Sequence, residues 1–185
     1  MWRSTRFFLT IWFVILLINK GFSQPKAGDT TATISIAAGP EYKRANGYQK
    51  LWGRNWRTAW TTEIRVPYLW LDKAYGGLTP SPSSGGNETK GLRLTSASGK
   101  EYALRSVNKS RTEVVPKEFK HTFIEKLIQD GISMSQPYGA TALPVMEKGA
   151  GIYHAEPIVV YLPKQPALDT LNEKYGDDLY MIEQR

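Results

Sequence analysis

Residues 90–109 read KGLRLTSASGKEYALRSVNK. Leu92 and Leu94 alternate with Arg93 and Thr95, the period-2 pattern of a strand with one buried face. Ala97-Ser98-Gly99-Lys100 is turn chemistry, and Glu101 to Lys109 returns as a second strand, so the stretch predicts a β-hairpin. C-terminal to it, Pro116 opens a helix at Lys117 that runs to about Asp130, where Gly131 ends it. Phe119, Phe123, Ile124, Leu127 and Ile128 form the buried face predicted for that helix. After a Pro/Gly-rich stretch, Ala155 to Pro163 contains the buried strand IVVYL. A short helix near Leu168 to Tyr175 and a last strand from Asp178 to Glu183 complete this half. Strands outnumber helices and a hairpin leads the order, which predicts an α+β fold: a small antiparallel sheet with one principal packed helix.

N-terminal to the hairpin, Asp72 to Lys90 holds Gly76-Gly77, Pro80, Pro82, a serine cluster and Gly85-Gly86, and reads as one long loop. Glu63 to Leu71 reads as a strand that Pro67 interrupts, which places it at a sheet edge. From Glu41 to Trp60 aromatics recur every four residues, as Tyr48, Trp52, Trp56 and Trp60, with Lys50, Arg54 and Arg57 on other faces. A short amphipathic helix weakened by Gly53 is expected. Its aromatic stripe is most ordinarily a core face; the alternatives are a membrane surface, met through Trp52 and Trp56, or stacking on bases. Gln24 to Pro40 is small and polar. Residues 24–45 are therefore expected to be a flexible linker, and residues 46–185 the α+β domain.

Residues 1–23 carry the features of an export signal. Arg3 and Arg6 precede the apolar run FFLTIWFVILLI, Phe7 to Ile18, and Gly21-Phe22-Ser23 offers small residues at a cleavage point. The run is shorter than the roughly 17–25 residues of a spanning helix. Arg3, Arg6 and Lys20 account for three of the +7 net charges, so the remainder carries +4 and nucleic acid is not an expected partner. With no cysteine among 185 residues, thiolate metal sites, disulfides and a cysteine nucleophile are excluded. His121 and His154 lie too far apart to predict a metal site, and none is expected.

Three features could carry chemistry. Backbone N–H groups of the Gly-rich segment, with Gly76, Gly77, Gly85 and Gly86, could cradle phosphate oxygens where larger side chains would block the approach. Ala103 and Arg105 share a strand face, a small residue leaving room for a flat ring and a cation two positions on for phosphate; Lys109 has the same parity. On a helical wheel Asp130 falls about 20° from Phe123, so a carboxylate on the buried face would seek a cation, with Glu125 the second choice.

Taken together, Gly-rich loop, hairpin bearing Ala-x-cation, acid-bearing helix and two further strands resemble the N-lobe of the protein kinases. GGLTPSPSSGGNETKGLRL resembles the Gly-rich loop with its flanking strands, YALR the family's Val-Ala-x-Lys strand, and FIEKLIQDGIS its acid-bearing helix. More narrowly, the chain is similar to exported, surface-associated proteins of Gram-negative bacteria, in which such a lobe precedes an acidic catalytic half and often an outer-membrane β-barrel. The resemblance implies that Arg105 or Lys109 holds phosphate, that Asp130 orients that cation, and that ATP and Mg bind only when a second lobe completes the site. It also implies a periplasmic or outer-membrane location, a C-terminal lobe or barrel as partner, and a chain ending at the hinge that is not catalytic alone. Arg105 stands where the kinases carry Lys, and Arg clamps phosphate bidentately where Lys is a point charge. The other class of function is a noncatalytic periplasmic or outer-membrane-associated module, docking through the Trp-rich segment.

Overall fold

The computed structural model describes residues 31–82 and 89–185. Seven strands form two antiparallel sheets, and the helices are short, in agreement with the α+β class. The smaller sheet pairs β1 (Thr33–Ile36) with β2 (Ile64–Pro67), Ile34 opposite Val66. The larger comprises β3 (Leu78–Pro82), β4 (Gly91–Ser96), β5 (Glu101–Ser106), β6 (Ile158–Leu162) and β7 (Asp178–Gln184), in the order β3-β4-β5-β7-β6. The predicted hairpin is β4–β5, with Leu92 opposite Leu104 and Leu94 opposite Tyr102. β7, the last strand in sequence, pairs with β5, placing Arg105 opposite Met181 and Ala103 opposite Glu183.

Two expectations fail in this framework. β1 lies inside the segment read as a linker; its alternating Ile34 and Ile36 pack toward a buried cluster around Trp60 and Val66. β3 lies inside the stretch read as one continuous loop. Pro80 and Pro82 are tolerated because β3 is an edge strand, where a missing N–H need not interrupt a central ladder.

The helices differ more. Gly53, at φ +89°, splits the Trp-rich segment into α1 (Asn46–Trp52) and α2 (Arg57–Thr61). Its aromatics are not one core stripe: Trp60 is 1% exposed, whereas Trp52 is 39% and Trp56 52% exposed. The helix predicted from Lys117 begins only at α3 (Phe123–Asp130), after a turn at Lys117–Phe119 and a break at His121, φ +63°. The Thr122 hydroxyl caps it by accepting the Ile124 N–H at 3.2 Å. Its apolar face is not buried: Phe119, Phe123 and Ile124 are exposed, and Leu127 and Ile128 half-buried. α3 is held through its C-terminal end instead. α4 (Leu143–Gly149) falls in the stretch read only as Pro/Gly-rich, and α5 (Asn172–Tyr175) closes the predicted short helix.

Each face of the large sheet has its own core. Leu92, Leu94, Tyr102, Leu104, Tyr180 and Ile182 point one way and pack on Leu69, Leu71, Leu168 and Tyr175. There the side chain of Gln165 replaces a strand: it accepts the Leu71 N–H at 2.7 Å and donates to the Leu69 carbonyl at 2.9 Å. On the opposite face Val107, Val159, Leu179 and Met181 meet Tyr42, Trp60 and Ile132. Gly39 is required here, because an added Cβ would lie 2.5 Å from the Tyr42 ring and 2.9 Å from Trp60.

Candidate functional site

Strand parity places Ala103, Arg105 and Val107 on the second face, beside Met181 and Glu183 of β7. Between this face and the chain at Ser135–Ala140 lies a cavity of about 340 Å3, within the range of small-molecule sites. Arg105, Ser106, Val107, Lys109, Met181 and Glu183 line one side; Trp60, Ser135, Gln136 and Pro137 line another, and Thr89 reaches it from the C-terminal flank of the Gly-rich segment. The Trp60 indole is fixed where it stands by donating to the Ser135 carbonyl at 2.8 Å.

The cations here are available to a ligand. Arg105 meets Glu183 at only 3.6 Å, with the guanidinium side chain 67% exposed. Such a pair contributes about 0–1 kcal/mol, so a phosphate could displace it. The Lys109 ammonium is exposed and has no ion-pair partner among the described residues. The Lys109 carbonyl, by contrast, accepts from Gln129 at 2.9 Å, which ties this end of the cavity to α3.

Other residues singled out by sequence lie elsewhere. Asp130 finds its cation, but the cation is Arg57 of α2: Arg57 donates twice to it, at 2.8 and 2.5 Å, and Arg44 stands at 3.3 Å. Neither Arg105 nor Lys109 is its partner. Burial alone would raise the Asp130 carboxyl, but the bonded Arg57 guanidinium, with Arg44 behind it, holds it below the usual carboxylate range. Glu125 is spent on the start of α3, where its carboxylate accepts the His121 N–H. The acid within reach of Arg105 is Glu183. Nothing in the residue spacing marks it, because the β5–β7 pairing is a contact between strands more than 70 residues apart.

The glycines also separate. Gly76 and Gly77, at φ +80° and +97°, turn the chain into β3, and the Gly77 N–H bonds to Ala74. They adjoin Leu78, which pairs with Ser96, whereas Arg105 pairs with Gly91 at the other end of the hairpin. At roughly 3.3 Å per strand residue, the length of β3 stands between them and the cavity. Gly85 and Gly86 lie outside the described residues. Ala103, half-buried, shares the face of Arg105 as expected.

No protein-family model matches the chain, nor does any curated protein or solved structure. A second cavity of about 310 Å3 lies at the C-terminal end of β7, lined by Tyr75, Tyr102, Tyr153, His154 and Glu156. Among the described residues no helix is long and apolar enough to cross a membrane, and no three His, Asp or Glu side chains are placed to hold a metal ion.

Proposed function

We propose that the cavity beside β5 and β7 binds the phosphates of a nucleotide, as the half-site of an exported kinase-like N-lobe. One observation carries the reading: Thr89, Arg105 and Lys109, from the Gly-rich segment, its hairpin and the chain just beyond, line one cavity. A guanidinium offers two parallel donors to phosphate oxygens and the ammonium a point charge, and the exposure of both leaves little to desolvate. Glu183 would hold Arg105 toward the ligand, the role the resemblance gives to Asp130. The order of elements also supports it, since an Ala-x-Arg hairpin, a helix and two more strands follow the Gly-rich segment.

Arg105 and Lys109 suit phosphate, and no group of three or more His, Asp or Glu that could by itself hold a metal ion lies among the described residues. The proposed role is therefore binding, and no transfer step is derived. Titration of the full chain with ADP in the absence of metal, followed by amide chemical shifts, is the test. Saturable shifts around Arg105, Lys109 and Gln136 with affinity of about 1 mM are expected, weakened at least about tenfold in Arg105→Ala/Lys109→Ala. No saturation, or equal binding by the double variant, would overturn the reading.

A second reading, the noncatalytic interaction module, is favoured by a different observation: Leu51 and Trp52 of α1 and Phe123 and Ile124 of α3 are exposed.

A further inference from the structure

We propose that the outward face of α1 and α3 docks on an anionic lipid bilayer. The inference deepens the interaction-module reading and stands whether or not the cavity takes nucleotide. Leu51, Trp52, Trp56, Phe119, Phe123 and Ile124 are all exposed. Trp52 and Phe123 stand 6.5 Å apart ring to ring, which joins the two helices into one apolar surface. The packing demand of this segment is already met by Trp60 and Arg57, both at most 3% exposed, so folding does not explain the outward indoles. Neither indole N–H of Trp52 or Trp56 has a partner among the described residues.

Charge selects the occupant. Lys50, Arg54, Lys117, Lys120 and Lys126 lie on the same segments, and none is in an ion pair among the described residues. The acids on these segments are fewer: Asp130 is paired with Arg57, and the two carboxylates Glu118 and Glu125 stand against the five cations. An indole has an apolar body with one polar edge, and a lysine has an apolar stem with a charged tip. Both suit the headgroup region, where rings sit among acyl ends while N–H and ammonium groups reach water and phosphate. Anionic headgroups attract each such cation by about 1 kcal/mol near the surface.

The test is co-sedimentation of the full chain with phosphatidylglycerol-rich and with pure phosphatidylcholine vesicles. Each variant is compared with the parent, so that residues 7–18 contribute equally. Lys50→Glu/Arg54→Glu/Lys117→Glu/Lys120→Glu should lose at least about tenfold in affinity for the anionic vesicles and little for the neutral ones. Brominated lipid should quench the parent chain more strongly than Trp52→Phe/Trp56→Phe. Five of the six positions are exposed and Lys120 is half-buried, so both variants should stay close to the parental melting temperature, which serves as the folding control. Unchanged anionic-vesicle binding by the charge-reversed chain, or quenching unaltered by loss of the two indoles, would overturn the proposal. The first of these outcomes, combined with charge-dependent capture of an acidic amphipathic peptide, would assign the face to a protein instead.

Discussion

The two faces of the five-stranded sheet are built from the same strands but held in different ways. On one face, alternate residues of β4, β5 and β7 are Leu92, Leu94, Tyr102, Leu104, Tyr180 and Ile182, all buried against Leu69, Leu71 and Leu168. Gln165, a buried polar side chain there, has its side-chain groups bonded to backbone. On the other face the residues in between are Arg93, Ala103, Arg105, Met181 and Glu183, and the cover is partial. Trp60, Tyr42 and Ile132 close the end near Val107, anchored by the Arg57–Asp130 pair, and the remainder is the open cavity. The partly covered face combines a buried ion pair, which the fold must satisfy, with solvent-facing cations, which it can spare for a ligand.

That comparison can be broken most severely at Asp130. Asp130→Ala strands the Arg57 guanidinium at 3% exposure, and a loss of about 3–5 kcal/mol is expected in denaturant unfolding. Leu104→Ala, on the dry face at 0% exposure, should cost about 2–5 kcal/mol by leaving a cavity. Acid separates the two mechanisms. The folded Asp130 carboxyl lies below its unfolded value near 3.8, so its contribution is complete above that pH and is lost as pH falls through the folded value. The deficit of Asp130→Ala against the parent chain should therefore shrink in urea melts below about pH 4, while that of Leu104→Ala persists. An equal acid dependence in both variants would show that Asp130 is not the group responsible. Arg105→Ala gives the smallest change, within about 0.5 kcal/mol in stability, because its pair with Glu183 is solvent-exposed. The same variant should lose phosphate affinity. A large stability loss without one would move Arg105 from the ligand site to the scaffold.

Much of the sheet was legible because strand signals are local. The alternation of Leu92 with Leu94 and of Tyr102 with Leu104 reads directly as a buried face, and IVVYL as a strand. β3 was hidden by two prolines that are permitted only at an edge, and edge position is a property of the assembled sheet. The face of α3 misled for a related reason. Its period is that of a packed helix, but whether an element covers such a face depends on where the rest of the chain goes, and here none does among the described residues. At the site, Arg105 and Lys109 were visible by parity. Glu183 was not, since the register of β5 against β7 makes that pair.

From composition and order alone followed the α+β class, the hairpin and its two faces, the absence of any disulfide, and the need of Asp130 for a buried cation. Each depends on one residue's chemistry or on neighbours a few positions apart. Only the tertiary structure chose which cation answers Asp130, which acid stands by Arg105, and which of four regularly spaced aromatics is buried. Those outcomes depend on distances across the chain, and an arginine 73 positions away reaches Asp130 where Arg105 does not. Close packing admits one geometry, in which Trp60 and Arg57 turn inward and Trp52 and Trp56 are left in solvent.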